Sequence, residues 1–230
     1  MAYDKKYKRR HAARRFGRLR LKRGSAAFPE SGGILMYQQE YERWLAAELE
    51  DKDLKPELLS IQGIDAEIQD RFAVELEFGT AGLRGVLGAG TNRMNIYMVR
   101  KATQGLANYL NKQGGKKSVA ISYDSRIKSD VFAREAARVL AGNGVKAYLY
   151  KELMPVPALS FATRHLHCDA GIMVTASHNP AVYNGIKVFM EGGRDADETL
   201  TAAFEGYIRE LEGEPVETVP YEEGLAAGSI

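Results

Sequence analysis

A chain of 230 residues with 45% hydrophobic and 27% charged side chains has the balance of a globular protein large enough to bury a core, which excludes a fibrous or wholly disordered chain. The single cysteine, Cys168, excludes an internal disulfide, and four histidines at positions 11, 165, 167 and 178 give no zinc-type cluster with it, so a reducing, cytoplasmic setting is expected. No apolar run approaches the roughly 18 to 20 residues of a bilayer span, and the N-terminus lacks the apolar segment of a secretory signal, so no membrane partner is expected.

The net charge of +2 conceals an asymmetry. Residues 1–35 hold eleven Lys/Arg against Asp4 and Glu30, a local net of +9 that leaves −7 on the remainder. This segment has no apolar periodicity and closes with Gly24-Ser25, Pro29 and Ser31-Gly32-Gly33, which reads as a disordered basic extension. Met36 follows at once and opens a helical face of Tyr37, Tyr41, Trp44, Leu45 and Leu49, so the favoured reading makes Met36 the native start. A nucleic-acid-binding arm and an Arg-rich targeting segment are the alternatives.

From 36 to about 73 the pattern is helical, with breaks expected near Pro56 and Gly63. Val74 to Phe78 reads as a strand leading into a glycine-rich turn, Gly79 to Gly85. A long helix runs from about Ile96 to Gln113 and stops at Gly114-Gly115, followed by a strand over Lys117 to Tyr123. Asp124-Ser125-Arg126 then turns into a helix capped by Ser129. Arg126 could add positive potential at this edge, but a turn held by an Asp-Arg interaction is the favoured reading. Val145 to Tyr150 reads as the next strand, and a helix after Pro155 and Pro157 reaches His165 or Leu166. Ala170 to Val174 is an apolar interior strand, Ile186 to Met190 a further strand, and Asp195 to Leu211 a last amphipathic helix. Strands alternating with helices in this way imply crossover units: a three-layer α/β/α domain with a mixed, largely parallel sheet, preceded by N-terminal helices and the basic arm.

The segment Val174-Thr175-Ala176-Ser177-His178-Asn179-Pro180, with Asn184-Gly185-Ile186-Lys187 after it, carries the chemistry. It places a hydroxyl, an imidazole, a carboxamide and an ammonium within eleven residues, just beyond a strand's carboxyl end, where open α/β sheets bind ligands. A serine that accepts a phosphate needs cations and donors around it, and Lys187, His178, Asn179 and Arg84 can supply them. Pro180 fixes its own φ and biases Asn179 towards extended backbone. Taken alone, Ser177 and His178 read as residues capping a turn, and Lys187 as a solvated strand residue. A serine-hydrolase reading fails because no Gly-x-Ser-x-Gly elbow is present. Gly79-Thr80-Ala81-Gly82-Leu83-Arg84-Gly85 adds a guanidinium suited to phosphate oxygens, but it is neither a Walker A nor a Gly-x-Gly-x-x-Gly loop. Alone it reads as a bend.

Together, the Gly-Thr-Ala-Gly-Leu-Arg-Gly and Thr-Ala-Ser-His-Asn-Pro segments, then Asn-Gly-Ile-Lys, resemble the α-D-phosphohexomutases, the phosphoglucomutase and phosphomannomutase family, and most closely its phosphoglucomutase/phosphopentomutase-like branch. The resemblance covers residues 36–225, as a first, phosphoserine-bearing domain, with 226–230 as the start of a link to a second. It implies a mutase that moves phosphate between the 1- and 6-positions of a hexose through a sugar 1,6-bisphosphate. It further implies that Ser177 carries the phosphate and helps coordinate Mg²⁺ through it, that Lys187 is the general acid/base, and that Arg84, His178 and Asn179 bind phosphate or orient the loop. The metal-binding Asp-Gly-Asp-x-Asp-Arg loop and the sugar-selecting loops of that family are missing from this sequence, so the remaining mutase domains are expected partners and the chain alone is expected not to turn over. Asp195-Ala196-Asp197-Glu198 reads as a helix cap, and Cys168 as a small buried hydrophobe. Two rival readings are a non-catalytic binding module whose basic arm recruits nucleic acid, with salt-sensitive affinity, and a stand-alone phosphatase, for which a metal site or second nucleophile is not found.

Overall fold

The computed structural model of the protein describes residues 36–79, 82–211 and 216–230. The basic extension, residues 1–35, lies outside the described residues, as do Thr80 and Ala81 of the glycine-rich segment.

Three short helices come first: α1 (Met36–Ala46), α2 (Leu54–Ser60) and α3 (Asp65–Phe72). They close around their own apolar cluster, in which Trp44 meets Phe72 and Tyr97 edge to face at 5.8 and 5.3 Å. Gly63, at φ +80°, separates α2 from α3 as expected. Pro56 does not break a helix; it sits in the first turn of α2, where a backbone N–H has no intrahelical acceptor to lose.

The strands β1 (Phe78–Gly79), β2 (Gly82–Val86), β3 (Ser118–Tyr123), β4 (Lys146–Leu149), β5 (Ala170–Val174), β6 (Tyr183–Met190) and β7 (Arg194–Asp195) form one sheet in the order β1-β2-β6-β5-β3-β4, with β7 also on β6. Helices α4 (Ile96–Lys112), α5 (Ser129–Gly142) and α7 (Glu198–Arg209) cover one face over the main core, which includes Val99, Leu106, Phe132, Leu140 and Ile172. Helix α6 (Val156–His165) covers the other over Ala120, Leu159, Met173 and Phe189. A short α8 (Tyr221–Ala226) packs beside α5, and the Ser229 carbonyl accepts from the amide of Ala147 on edge strand β4. The expected α/β/α layering is therefore present, with Cys168 buried and free beneath α6.

The sheet is mixed, as expected, but its parallel part is confined to β4-β3-β5. The expectation of a largely parallel sheet is corrected because β6 returns directly beside β5 through the serine loop rather than through a helical crossover, and so runs antiparallel to both β5 and β2. Two local readings change as well. Val74 to Glu77 is not strand, which begins only at Phe78: Val74 is exposed, and the Leu76 amide bonds to the Thr91 carbonyl in a loop. The supposed glycine turn is instead largely strand, since Leu83–Val86 pairs along β6 and Gly79 pairs with Gly82. Two helix starts also shift. Ser129 is the first residue of α5, with Lys128 at φ +64° as its cap, and α7 begins at Glu198, capped by Asp197, whose carboxylate accepts from the Leu200 amide. Asp195 lies in β7.

The best-formed helix start belongs to α4. The Asn95 side chain accepts from the amides of Tyr97 and Met98 while its carboxamide donates to the carbonyls of Gly88 and Gly90. One buried residue thus starts the helix and fixes the loop that leads out of β2.

Candidate functional site

Parallel strands β3 and β5 end side by side, and the Asp124 amide bonds to the Val174 carbonyl where they do. Beyond that point run two loops, 124–128 after β3 and 175–182 after β5. Every residue of β5 is buried, as are Thr175 and Ala176, and then Ser177 emerges exposed to solvent. Its backbone is left-handed at φ +54°. A non-glycine residue in that conformation costs about 1–3 kcal/mol and persists only where its surroundings impose it.

Those surroundings are specific. The Ser177 amide donates to Thr175 Oγ1 at 3.0 Å, and the Thr175 hydroxyl donates to Asp124 Oδ2 at 2.6 Å. Asp124 Oδ1 accepts from the Arg126 amide and the Ser129 hydroxyl. Within the loop, the Asn179 amide bonds to the Ala176 carbonyl and the Tyr183 amide to the Pro180 carbonyl, each at 3.0 Å. The Asn184 side chain then ties the start of β6 to α5 by donating to the Ile127 carbonyl and Ser129 Oγ.

Arg84 stands on β2 opposite Gly185, and its Nη1 donates to Asn179 Oδ1 at 3.1 Å. Its Nε is shielded from solvent and has no hydrogen-bond partner, so the fork is only partly used. This side chain therefore reaches the serine loop. His178 Nδ1 lies 3.4 Å from Ser177 Oγ on an exposed neighbouring residue, a long contact that does not make a nucleophile-base pair. Lys187 is two residues beyond Gly185 on β6 and shares its face with Arg84. Its ammonium is held by both carboxylate oxygens of Asp195 at 3.0 Å and lies 5.6 Å from the centre of the Phe189 ring. Ser177, Asn179 and Arg84 are thus brought together, whereas Lys187 is engaged by β7.

Two functional-looking groups were missed in the sequence. Thr175 gives no signal beyond its place in the motif, and Asp124 reads in the sequence only as a turn residue. Arg126 was noticed for its position; the Asp-Arg interaction expected of it exists, with Nε 3.4 Å from Asp124 Oδ2, but the guanidinium also reaches the serine loop.

The described residues do not by themselves make a metal site. Among the described residues no three His, Cys, Asp or Glu side chains come together to hold an ion, and Asp124 is already engaged by Thr175, Ser129 and Arg126. No helix among the described residues is long and apolar enough to cross a membrane.

The chain is 44% identical over 146 residues to a phosphoglucomutase of Staphylococcus haemolyticus, a stretch that covers 64% of this chain and 26% of that protein. It is 42% identical over 156 residues to a phosphoglucomutase of Staphylococcus aureus, covering 68% and 28%. It spans about a quarter of the length of these curated relatives. Among solved structures, one from Thermus thermophilus, described as that of a candidate phosphomannomutase, superimposes with a TM-score of 0.56 at 33% identity, over 64% of this chain and 31% of that one. A phosphoglucomutase/phosphomannomutase family protein of Burkholderia thailandensis gives 0.51 at 25% identity, over 61% and 31%. The family model for the α/β/α domain I of phosphoglucomutase/phosphomannomutase matches residues 75–214, more than half of the chain and the whole of the sheet with its serine loop, and the chain belongs to that family.

Proposed function

We propose that residues 36–225 are the phosphoserine domain of a phosphosugar mutase of the phosphoglucomutase type, interconverting hexose 1-phosphate and 6-phosphate through a bisphosphorylated sugar. The observation that carries this reading is an exposed Ser177, held left-handed beyond the end of a buried strand, with the partly used guanidinium of Arg84 reaching the same loop from β2. In the transfer from the sugar bisphosphate, Ser177 Oγ attacks phosphorus and gives up its proton to solvent, an Oγ–P bond forms as the P–O bond to the sugar breaks, and the sugar oxygen takes up a proton from Lys187, leaving a sugar monophosphate. The reverse step returns the phosphoryl group to the other end of the sugar. Such a transfer depends mainly on positioning and on compensating charge.

Arg84 and Asn179 would hold the phosphate, and His178 would line the loop. Lys187 would exchange its contact with Asp195 for the substrate when the cleft is filled. Mg²⁺ would supply further charge at the phosphoserine, with its remaining ligands on other domains, as would the groups that recognise the sugar. A cytoplasmic setting suits both the substrates and the lone, buried Cys168.

The test is intact-mass and peptide mapping after exposure to glucose 1,6-bisphosphate and Mg²⁺. It is run on the chain alone and on a folded chimera in which residues 75–214 replace the matching part of the Staphylococcus haemolyticus protein. One phosphate on Ser177 of the chimera, absent after Ser177→Ala, is the expected result. A folded chimera that never gains phosphate at Ser177 overturns the assignment.

A further inference from the structure

Arg126 leaves the loop after β3 and places its guanidinium under the loop after β5. Nη2 donates to the carbonyls of Ser177 and Asn179, each at 2.7 Å, and Nη1 to those of Pro180 and Tyr183, each at 3.0 Å. Nε faces Asp124 Oδ2 at 3.4 Å. A guanidinium has five N–H donors in a fixed plane. The four on the Nη atoms each have a carbonyl acceptor, Nε has a carboxylate beside it, and the side chain is only 14% exposed. Arg84 is the opposite case, with one bond to the loop and a bare Nε.

We infer that Arg126 is a positioning residue for Ser177: it binds no phosphate, and instead clamps four converging carbonyls of the serine loop so that the serine is held left-handed and outward. Four carbonyl oxygens pointing into one small region repel each other unless a cation sits among them. The Asp124-Thr175 arm completes the device from the other side by fixing the Ser177 amide, and Asp124 also steadies Arg126 itself. Lysine cannot replace the arginine, since three donors on a point charge do not span four carbonyls in a plane. The use of the clamp, presenting a phosphate carrier, rests on the proposed role of Ser177; its existence does not.

Backbone NMR and amide exchange on the 230-residue chain test it without any phosphate. In Arg126→Ala, the Ser177 backbone shifts should lose their left-handed signature. The amides of Ser177, Asn179 and Tyr183 should exchange at least about tenfold faster while Ile121 and Ile172 in the core strands keep their protection. Low-millimolar guanidinium should restore both in the alanine variant, and Arg126→Lys should fall between the two; where the alanine variant does not fold, the lysine variant carries the comparison. Unchanged loop amides, a lysine variant equal to the wild type, or core amides released as much as the loop would each overturn the clamp. A chimera that is never phosphorylated, with the loop still clamped, would instead sink the mutase reading and leave this one standing.

Discussion

Ser177 is held at φ +54° although it carries a Cβ, and the hydrogen bonds around it hold it there. Two substitutions separate that strain from the chemistry of the hydroxyl. Both Ser177→Gly and Ser177→Ala remove Oγ, but only glycine takes a left-handed backbone without a steric penalty. Ser177→Gly is therefore expected to be the more stable of the two by about 1 kcal/mol in urea unfolding. An alanine variant equal to or above the glycine variant would show that the backbone stores no strain. Lys187 poses a different question, because its ion pair with Asp195 lies at a partly open surface, with Asp195 57% exposed. Such pairs contribute at most about 1 kcal/mol. Lys187→Ala should thus leave the unfolding midpoint of the chain nearly unchanged while lowering turnover of the chimera by about 10²- to 10⁴-fold, the range for a lost proton-transfer group. A wild-type rate would reject its role as acid and base.

Strand β2 owes its place in the sheet to glycine. A Cβ on Gly185 would lie 2.4 Å from the Leu83 carbonyl oxygen and 2.8 Å from Arg84 Cγ, and one on Gly82 would lie 2.2 Å from the Ile186 carbonyl oxygen. The two strands approach so closely that only a bare backbone fits at these points. Gly185→Ala should cost about 1–3 kcal/mol, as overpacking does, and should displace Arg84 from Asn179, which a crystal structure of the variant would show. An alanine accommodated with the Arg84-Asn179 bond intact would contradict this. The same closeness explains part of why Gly79 to Gly85 reads as a turn in the sequence: the two glycines of β2 are poor strand formers locally, and their reasons lie elsewhere, for Gly82 about a hundred residues away in β6 and for Gly85 in the Leu76 side chain, which a Cβ would meet at 2.8 Å. Elements with strong internal pattern, such as α4 with its flanking glycines or the wholly apolar β5, were readable because their determinants are neighbours in the chain. The catalytic candidates were readable for the same reason, as Ser177, His178 and Asn179 are consecutive. The clamp was not, because Arg126 meets carbonyls 51 to 57 residues further on, and nothing in Asp-Ser-Arg specifies that destination.

The helices of 36–72 form their own apolar cluster, and a charged network around Arg100 joins the Lys128-Asp51 and Arg93-Asp70 ion pairs in fastening them to the layers around the sheet. Arg100 of α4, only 7% exposed, donates from both Nη atoms to Glu50 in the link between α1 and α2, and from Nε to Glu135 of α5 at 2.6 Å. Arg138 joins Glu135 from the next turn of α5. The hydrogen bonds from Arg100 hold the Glu50 carboxyl down at about 2, below the ordinary 4.5. A carboxylate depressed on folding adds stability that is fully present above its unfolded value and disappears as pH falls through its folded one. The contribution of Glu50 is therefore intact at neutral pH and lost between about 4.5 and 2. Because its side chain is 58% exposed, solvent screening limits the effect to about 1 kcal/mol. Glu50→Gln should lower stability slightly at pH 7 and flatten the loss over that acid window, whereas Arg100→Met should cost more, about 2–3 kcal/mol, because it strips a partner from the nearly buried Glu135. Urea unfolding at pH 7, 4 and 3 separates the two. A Glu50→Gln chain that loses stability with acid as steeply as the wild type would place the acid sensitivity elsewhere and remove this network as a fastening between the helical cluster and the sheet.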